Sequence, residues 1–163
     1  MKVVNIHKRI IKKPKEEVSK LLETLSTKDD KVWPKVYWPA MRFKEGLKVG
    51  AKGGHGIIRY SIEEYVLGER IVFNFFKPLG FNGIHKFEIN EVTPFKTEVR
   101  HSIIMKTEGL LATFKWLFVI RWLHDALIEN AFDTIENNFT EVTKHTKRSN
   151  WVSFWRFLFK WIS

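Results

Sequence analysis

The 163-residue sequence has no cysteine. Disulfides, thiolate nucleophiles and Cys-ligated zinc or iron–sulfur sites are therefore excluded, and the composition suits a reducing compartment. Uninterrupted apolar runs are also lacking. The richest window, LLATFKWLFVIRWL at 110–123, is broken by Lys115 and Arg121, and a spanning helix needs about 18 or more apolar residues. The N-terminus, MKVVNIHKRIIKKPKEE, alternates charge with apolar residues and has no signal-peptide core. The expected location is cytoplasmic, peripheral on the inner face of the membrane. Acidic residues are missing after Glu141, where Lys144, Lys147, Arg148, Arg156 and Lys160 supply half of the formal charge of +10. A basic excess focused in one segment points to an anionic partner.

Present in quantity are hydrophobic residues (44%) and aromatics (15%), enough for one packed domain. Residues 3–11 read as a strand. Pro14 suits a first helical turn, and Val18, Leu21, Leu22 and Leu25 mark an amphipathic helix. KVWPKVYWPAM (31–41) reads as a short helix or irregular crossing. Strands are expected around 41–46, 56–66, 70–76, 84–91 and 97–105, separated by KVGAKGG, LGE, KPLGFNG and VTPFK. A helical pattern from about 112 to 145 carries Leu117, Ile120, Leu127, Ala131 and Val142 on one stripe, with His124 inside it. An antiparallel meander must bury one face, and only this last helix is long enough to cover it. The fold class expected is α+β.

The segments WPKVYWPAMRFKEGLKVGAKGGHGIIRYSIEEYVLGERIVFNFF, GFNGIHKFEI and WLHDALIENAFDTIE resemble the SRPBCC superfamily, which includes START, Bet v 1-like and polyketide cyclase-like proteins. The likeness covers about residues 3–143. It implies a helix-grip fold, a curved antiparallel sheet wrapped around a long helix and an internal cavity. Its members bind lipids, polyketides, hormones or quinones, and some are cyclases, so the fold does not choose a function. The organisation expected is a helix-grip domain over 1–145 and a basic aromatic tail over 146–163.

Alternation places His85, Phe87 and Ile89 on one strand face and Val99, His101, Ile103 and Met105 on another. If neighbouring strands join through VTPFK, His85 and His101 are diagonal, roughly 7–8 Å apart. With His124 on the covering helix, three imidazoles look into one cavity. Such a set can bind a metal, act as acid and base, or hold a ligand's polar group. The simplest reading is hydrogen-bonded cavity walls, and no metal or other cofactor is expected. GAKGGHG (50–56) is not a phosphate-binding loop and reads as a tight hairpin; no G-x-S-x-G or H-E-x-x-H occurs. Trp33, Tyr37, Trp38 and Met41 either grip an apolar ligand or close the core. The expected ligand-binding set is Trp38, Met41, Tyr60, His85, Phe87, His101, Met105, Ile120 and His124.

The chain ends in WVSFWRFLFKWIS, six of thirteen residues aromatic. On a helix, Ser153, Arg156, Lys160 and Ser163 share an arc of about 80° and the nine apolar residues fill the rest. At about 20 Å it is too short to span a bilayer and suits the headgroup boundary, lying flat. Lys147, Arg148, Trp151, Trp155, Arg156, Phe159, Lys160 and Trp161 are the expected membrane contacts. The alternative uses are sealing the tail's own domain, or a homodimer or other protein partner; nucleic acid is not an expected partner. The expected function is binding of a lipid-like or polycyclic small molecule at the membrane surface. The second reading is a cyclase- or dehydratase-type enzyme working through the histidines.

Overall fold

The structure is a computed structural model and describes residues 1–160. Seven strands form one antiparallel sheet: β1 (Lys2–Ile11), β2 (Arg42–Phe43), β3 (Lys52–His55), β4 (Ile58–Val66), β5 (Arg70–Lys77), β6 (Phe81–Thr93) and β7 (Lys96–Thr107). Their order is β1-β7-β6-β5-β4-β3-β2. The chain is thus a meander from β2 to β7, closed at the far edge by β1. Register shifts in the β4–β5 pair, at Arg59/Tyr60 and Ile62/Glu64, add local twist and bend there.

Helix α1 (Lys15–Leu22) buries Val18, Leu21 and Leu22; Pro14 stands just before it, and Leu25 is buried past its end. The long C-terminal helix begins at Gly109 and ends at Asn137, earlier at both ends than the sequence pattern suggests. It consists of α2 (Gly109–Lys115), a π-helical turn (Trp116–Ile120) and α3 (Arg121–Asn137). The wide turn resets the helical phase. Trp116 and Val119 therefore face inward, while Leu117, expected on the buried stripe, is exposed. Val142 lies beyond the helix and is also exposed. The helix stops because Asn137 turns its side chain to the backbone of Lys144, and Asn138 reaches the Lys31 carbonyl. Side-chain amides compete here with the helical ladder.

A second departure lies at GAKGGHG. It holds strand β3 and not only a turn, so the run after α1 has one strand more than the pattern suggests. A Cβ at Gly53 would lie 2.4 Å from the Arg42 carbonyl oxygen, and one at Gly54, where φ is +156°, 2.0 Å from that of Ile58. Only glycine lets the backbones approach this closely.

The inner sheet face and α3 enclose a core containing Phe43, Tyr60, Phe73, Phe87, Ile128 and Phe132. A smaller cluster, Val3, Phe81, Ile103, Met105, Ala112 and Trp116, forms under α2. The architecture is the helix-grip α+β fold. Beyond residues 138–149, α4 (Asn150–Lys160) packs back against α3.

Candidate functional site

Between the sheet, α3 and the 33–39 crossing lies a cavity of about 460 Å³. This volume is within the usual range for a small-molecule site, roughly 300–1,000 Å³. Most of its wall is apolar, and its polar groups include His55, His85, His101 and His124, with the Arg156 guanidinium also in the lining.

The registers place these side chains. Phe87 pairs with His101 and His85 with Ile103, so the two histidines are diagonal neighbours as alternation predicts. Their rings are 5.6 Å apart, closer than the backbone spacing, and His85 Nδ1 lies 3.4 Å from His101 Nε2. His85 is held between Phe73 and Phe75, with ring centres 4.6 and 4.7 Å away, and the Tyr60 ring meets it edge-on. His101 continues to His124 at 5.0 Å, and His124 to His7 at 5.8 Å.

Hydrogen bonding along this row is incomplete. Among the described residues, His85 Nε2, His101 Nδ1, both nitrogens of His124 and the Tyr60 hydroxyl are buried without a hydrogen-bond partner. Buried polar atoms in folded proteins are nearly always paired, and an unpaired one costs about 1–3 kcal/mol. Burial also decides their charge. It pushes His85 well below the usual imidazole range, reinforced by His55 and His124. It does the same to His101, together with the other histidines, and takes His55 down to about 3. His124 is lowered by burial despite Asp125, whose Oδ1 is 3.6 Å from its Nδ1. The cavity thus presents neutral imidazoles at neutral pH.

The other end of the row is ionic. Burial would lower His7, but Asp125 and Glu129 outweigh it and raise its pKa. Its Nε2 is 3.0 Å from Asp125 and its Nδ1 is 2.9 Å from Glu129. Arg9 donates to Glu129, Asp133 and Glu136, and Asn5 to Asp125. This seam locks β1 to α3 and turns the helix so that His124 faces the cavity. His7, Asp125 and His124 can place ligand atoms within 4.8 Å of one another, close enough for a metal ion to be accommodated.

Of the nine expected ligand contacts, Trp38, His85, His101, Met105, Ile120 and His124 line the cavity. Met41, Tyr60 and Phe87 are buried behind that lining, in the main core. Trp38 is fixed by a 3.0 Å bond from its indole nitrogen to Asn130 Oδ1. His7 and His55 were not singled out from the sequence. His7 had a readable signal: Asn5, His7 and Arg9 alternate on one face, opposite Asp125, Glu129 and Asp133 at helical spacing. His55 had none, since only the close-packed β3 hairpin turns it inward.

Helix α4 closes part of the cavity. Arg156 and Phe159 line it. The Arg156 guanidinium lies 4.6 Å from the Trp38 ring centre and donates to the Tyr37 carbonyl. Val152 is buried, and the Trp151 indole donates to the Phe118 carbonyl at 2.9 Å. Of the tail's polar arc, Arg156 thus turns toward the protein and Ser153 is exposed, while Trp151, Phe154 and Phe157 are exposed as well. Of the other expected membrane contacts, Lys147 is exposed and Arg148 lies 5.0 Å from the Tyr37 ring. Trp155 is half-buried with its indole nitrogen unpaired among the described residues. Lys160 ends α4 with its side chain outside the description, and Trp161 lies outside the described residues. No described helix is long and apolar enough to cross a membrane.

No protein-family model matches the sequence, and no curated protein is significantly similar to it. Solved structures do match the fold. A protein from Thermobifida fusca aligns with a TM-score of 0.64 and 14% identity, covering 90% of this chain and 99% of that one. A START superfamily protein from Mycobacterium smegmatis aligns at 0.52 and 10% identity, covering 83% and 95%. Norcoclaurine synthase from Thalictrum flavum, solved with a transition-state analogue, aligns at 0.61 and 6% identity, covering 86% and 98%. The resemblance to the SRPBCC superfamily thus holds at the level of fold.

Proposed function

We propose that this protein binds a lipid-like or polycyclic small molecule in the cavity and does so at an anionic membrane surface. The observation that carries the reading is a largely apolar cavity of about 460 Å³ whose histidines hold unpaired ring nitrogens. Burial of the ligand's apolar body supplies affinity at roughly 25 cal/mol per Å². His85, His101 and His124 then accept or donate hydrogen bonds to one polar group. These neutral imidazoles suit a hydroxyl, carbonyl or phenol, while Arg156, the cation of the lining, is engaged with the Trp38 ring and the Tyr37 carbonyl. START and Bet v 1-like neighbours support a ligand-binding fold. The outward Trp151, Phe154 and Phe157 of α4, with exposed Lys147, support the membrane site.

The test is native mass spectrometry of the full chain, followed by organic extraction, with the fluorophore N-phenyl-1-naphthylamine as a cavity probe. A co-purifying apolar molecule, or saturable probe binding weakened by the bulky cavity-filling Ile103→Trp, supports the reading. A protein that is empty and does not take up the probe refutes it.

The imidazole pair at 3.4 Å also favours the second reading, a cyclase- or dehydratase-type reaction with His85 and His101 as acid and base. A histidine substitution that abolishes turnover while sparing ligand affinity would separate it from simple binding.

A further inference from the structure

Apolar tips from separate parts of the chain are exposed on, or next to, segments that line the cavity. Val36 and Ile57 line the cavity and are 84% and 57% exposed. Leu79, 89% exposed, follows Pro78, another lining residue. The turn carrying Leu79 abuts α2, since a Cβ at Gly80 would lie 2.9 Å from both Ala112 Cβ and the Glu108 carbonyl oxygen. Leu110, Leu111 and Phe114 on α2 are 92%, 67% and 58% exposed. One turn on, Trp116 faces inward and lines the cavity. The Trp151–Phe118 hydrogen bond ties α4 to the same edge. Single exposed apolar residues are ordinary, but their convergence on one rim is not.

The charges around this rim are mostly of one sign. Lys35, Lys77, Lys115 and Lys147 are exposed next to these segments, against Glu108, and Arg121 is exposed but paired with Asp125 at 3.7 Å. Trp122 and Trp151 are about half exposed, each with its indole nitrogen bonded to a backbone carbonyl. Apolar tips, flanking cations and indoles at the boundary are the components of an interfacial lipid contact. A two-fold contact between copies would instead bring these like charges together.

We propose that the rim is a bilayer-docking surface, on which the protein sits with its cavity mouth against an anionic membrane. Leu79, Leu110, Leu111 and Phe114 enter the headgroup–acyl boundary, and the ligand passes between bilayer and cavity without crossing water. This rests on the membrane reading above but moves the contact from the tail alone to a surface shared by α2, the β5–β6 turn and α4.

The test is co-sedimentation of the full chain with vesicles of phosphatidylcholine, with and without phosphatidylglycerol. The variants are Leu79→Glu/Leu110→Glu on the rim and Phe154→Glu/Phe157→Glu on the tail. Neither Leu79 nor Leu110 lines the cavity, so melting temperature and N-phenyl-1-naphthylamine affinity check their fold. The expected result is salt-sensitive binding that needs the anionic lipid and falls about tenfold or more in the rim variant. Binding lost only in the tail variant would overturn the docking surface while leaving the membrane reading intact. No vesicle binding by the parent chain would overturn both. A dimer seen by size exclusion and dissolved by the rim variant would assign the rim to self-association and overturn the proposal.

Discussion

The guanidinium of Arg156, on the last helix, lies 4.6 Å from the ring centre of Trp38, on the crossing before the sheet. This contact joins the C-terminal tail to the cavity wall, and Trp38 in turn is held by Asn130 of α3. A cation on an indole face contributes about 0.5–1 kcal/mol when partly exposed.

Arg156→Ala is therefore expected to leave the melting temperature within a few degrees of the parent and to loosen α4. Stopped-flow release of N-phenyl-1-naphthylamine should accelerate by roughly two- to fivefold, the factor that such an energy represents. An unchanged release rate would mean that α4 does not gate the cavity.

His85 sits between two phenylalanines with one nitrogen unpaired. His85→Phe removes one buried unsatisfied polar atom, keeps the aromatic stack with Phe73 and Phe75, and leaves His101 Nε2 without its partner. Urea unfolding should show stability unchanged or raised by about 1 kcal/mol. Affinity for ligands with a hydroxyl or carbonyl should fall while purely hydrocarbon ligands bind as before. A large loss of stability would show that this histidine is structural.

Acidification should destabilise the protein. His55, His85 and His101 are held below the ordinary imidazole value of 6.5, chiefly by burial. The unfolded chain therefore binds more protons below pH 6.5, and their contribution is complete above that pH and is lost as pH falls below it. His7 works in the opposite sense. Its raised pKa adds stability below pH 6.5 that is lost as pH rises through the folded value. His124 is lowered in the same way, so four depressed groups stand against one raised group and the urea midpoint should drop between pH 7.5 and pH 5. The slope should be shallower in His85→Phe.

The buried Asp133 accepts from the Thr146 backbone nitrogen at 2.6 Å and from its hydroxyl at 3.1 Å, and it also meets Arg9. Asp133→Ala should cost about 2–3 kcal/mol, the scale of a charged hydrogen-bond acceptor lost from a buried site. Amide exchange at residues 144–149 should rise more than in α3, because this carboxylate ties the segment before α4 to the domain.

Much of the fold was legible because alternation and helical spacing are local properties of the chain. The faces of His85 and His101 follow from the phase of IHKFEIN and EVRHSIIM, and their register makes them neighbours. What was not legible depended on contacts distant in sequence. The β3 strand is hidden because its glycines carry no hydrophobic signal, only the space that Arg42 and Ile58 require. The reset of the long helix at Trp116–Ile120 hides within a run whose apolar pattern looks continuous. The same reset turns Leu117 and Phe118 outward, where they join the exposed edge.

The tail separates the two levels most clearly. The sequence by itself predicted an amphipathic helix over 151–163, because only a helical period sorts Arg156 and Lys160 from the surrounding aromatics, and α4 covers Asn150–Lys160. It also determined the strand faces and the basic excess. Only the tertiary structure decided that Arg156 turns inward onto Trp38, with Phe159 in the cavity wall, and leaves Trp151, Phe154 and Phe157 exposed. It alone brought His7 against His124 and His55 into the cavity wall. Periodicity specifies which side chains share a face; what that face meets depends on packing between elements more than a hundred residues apart.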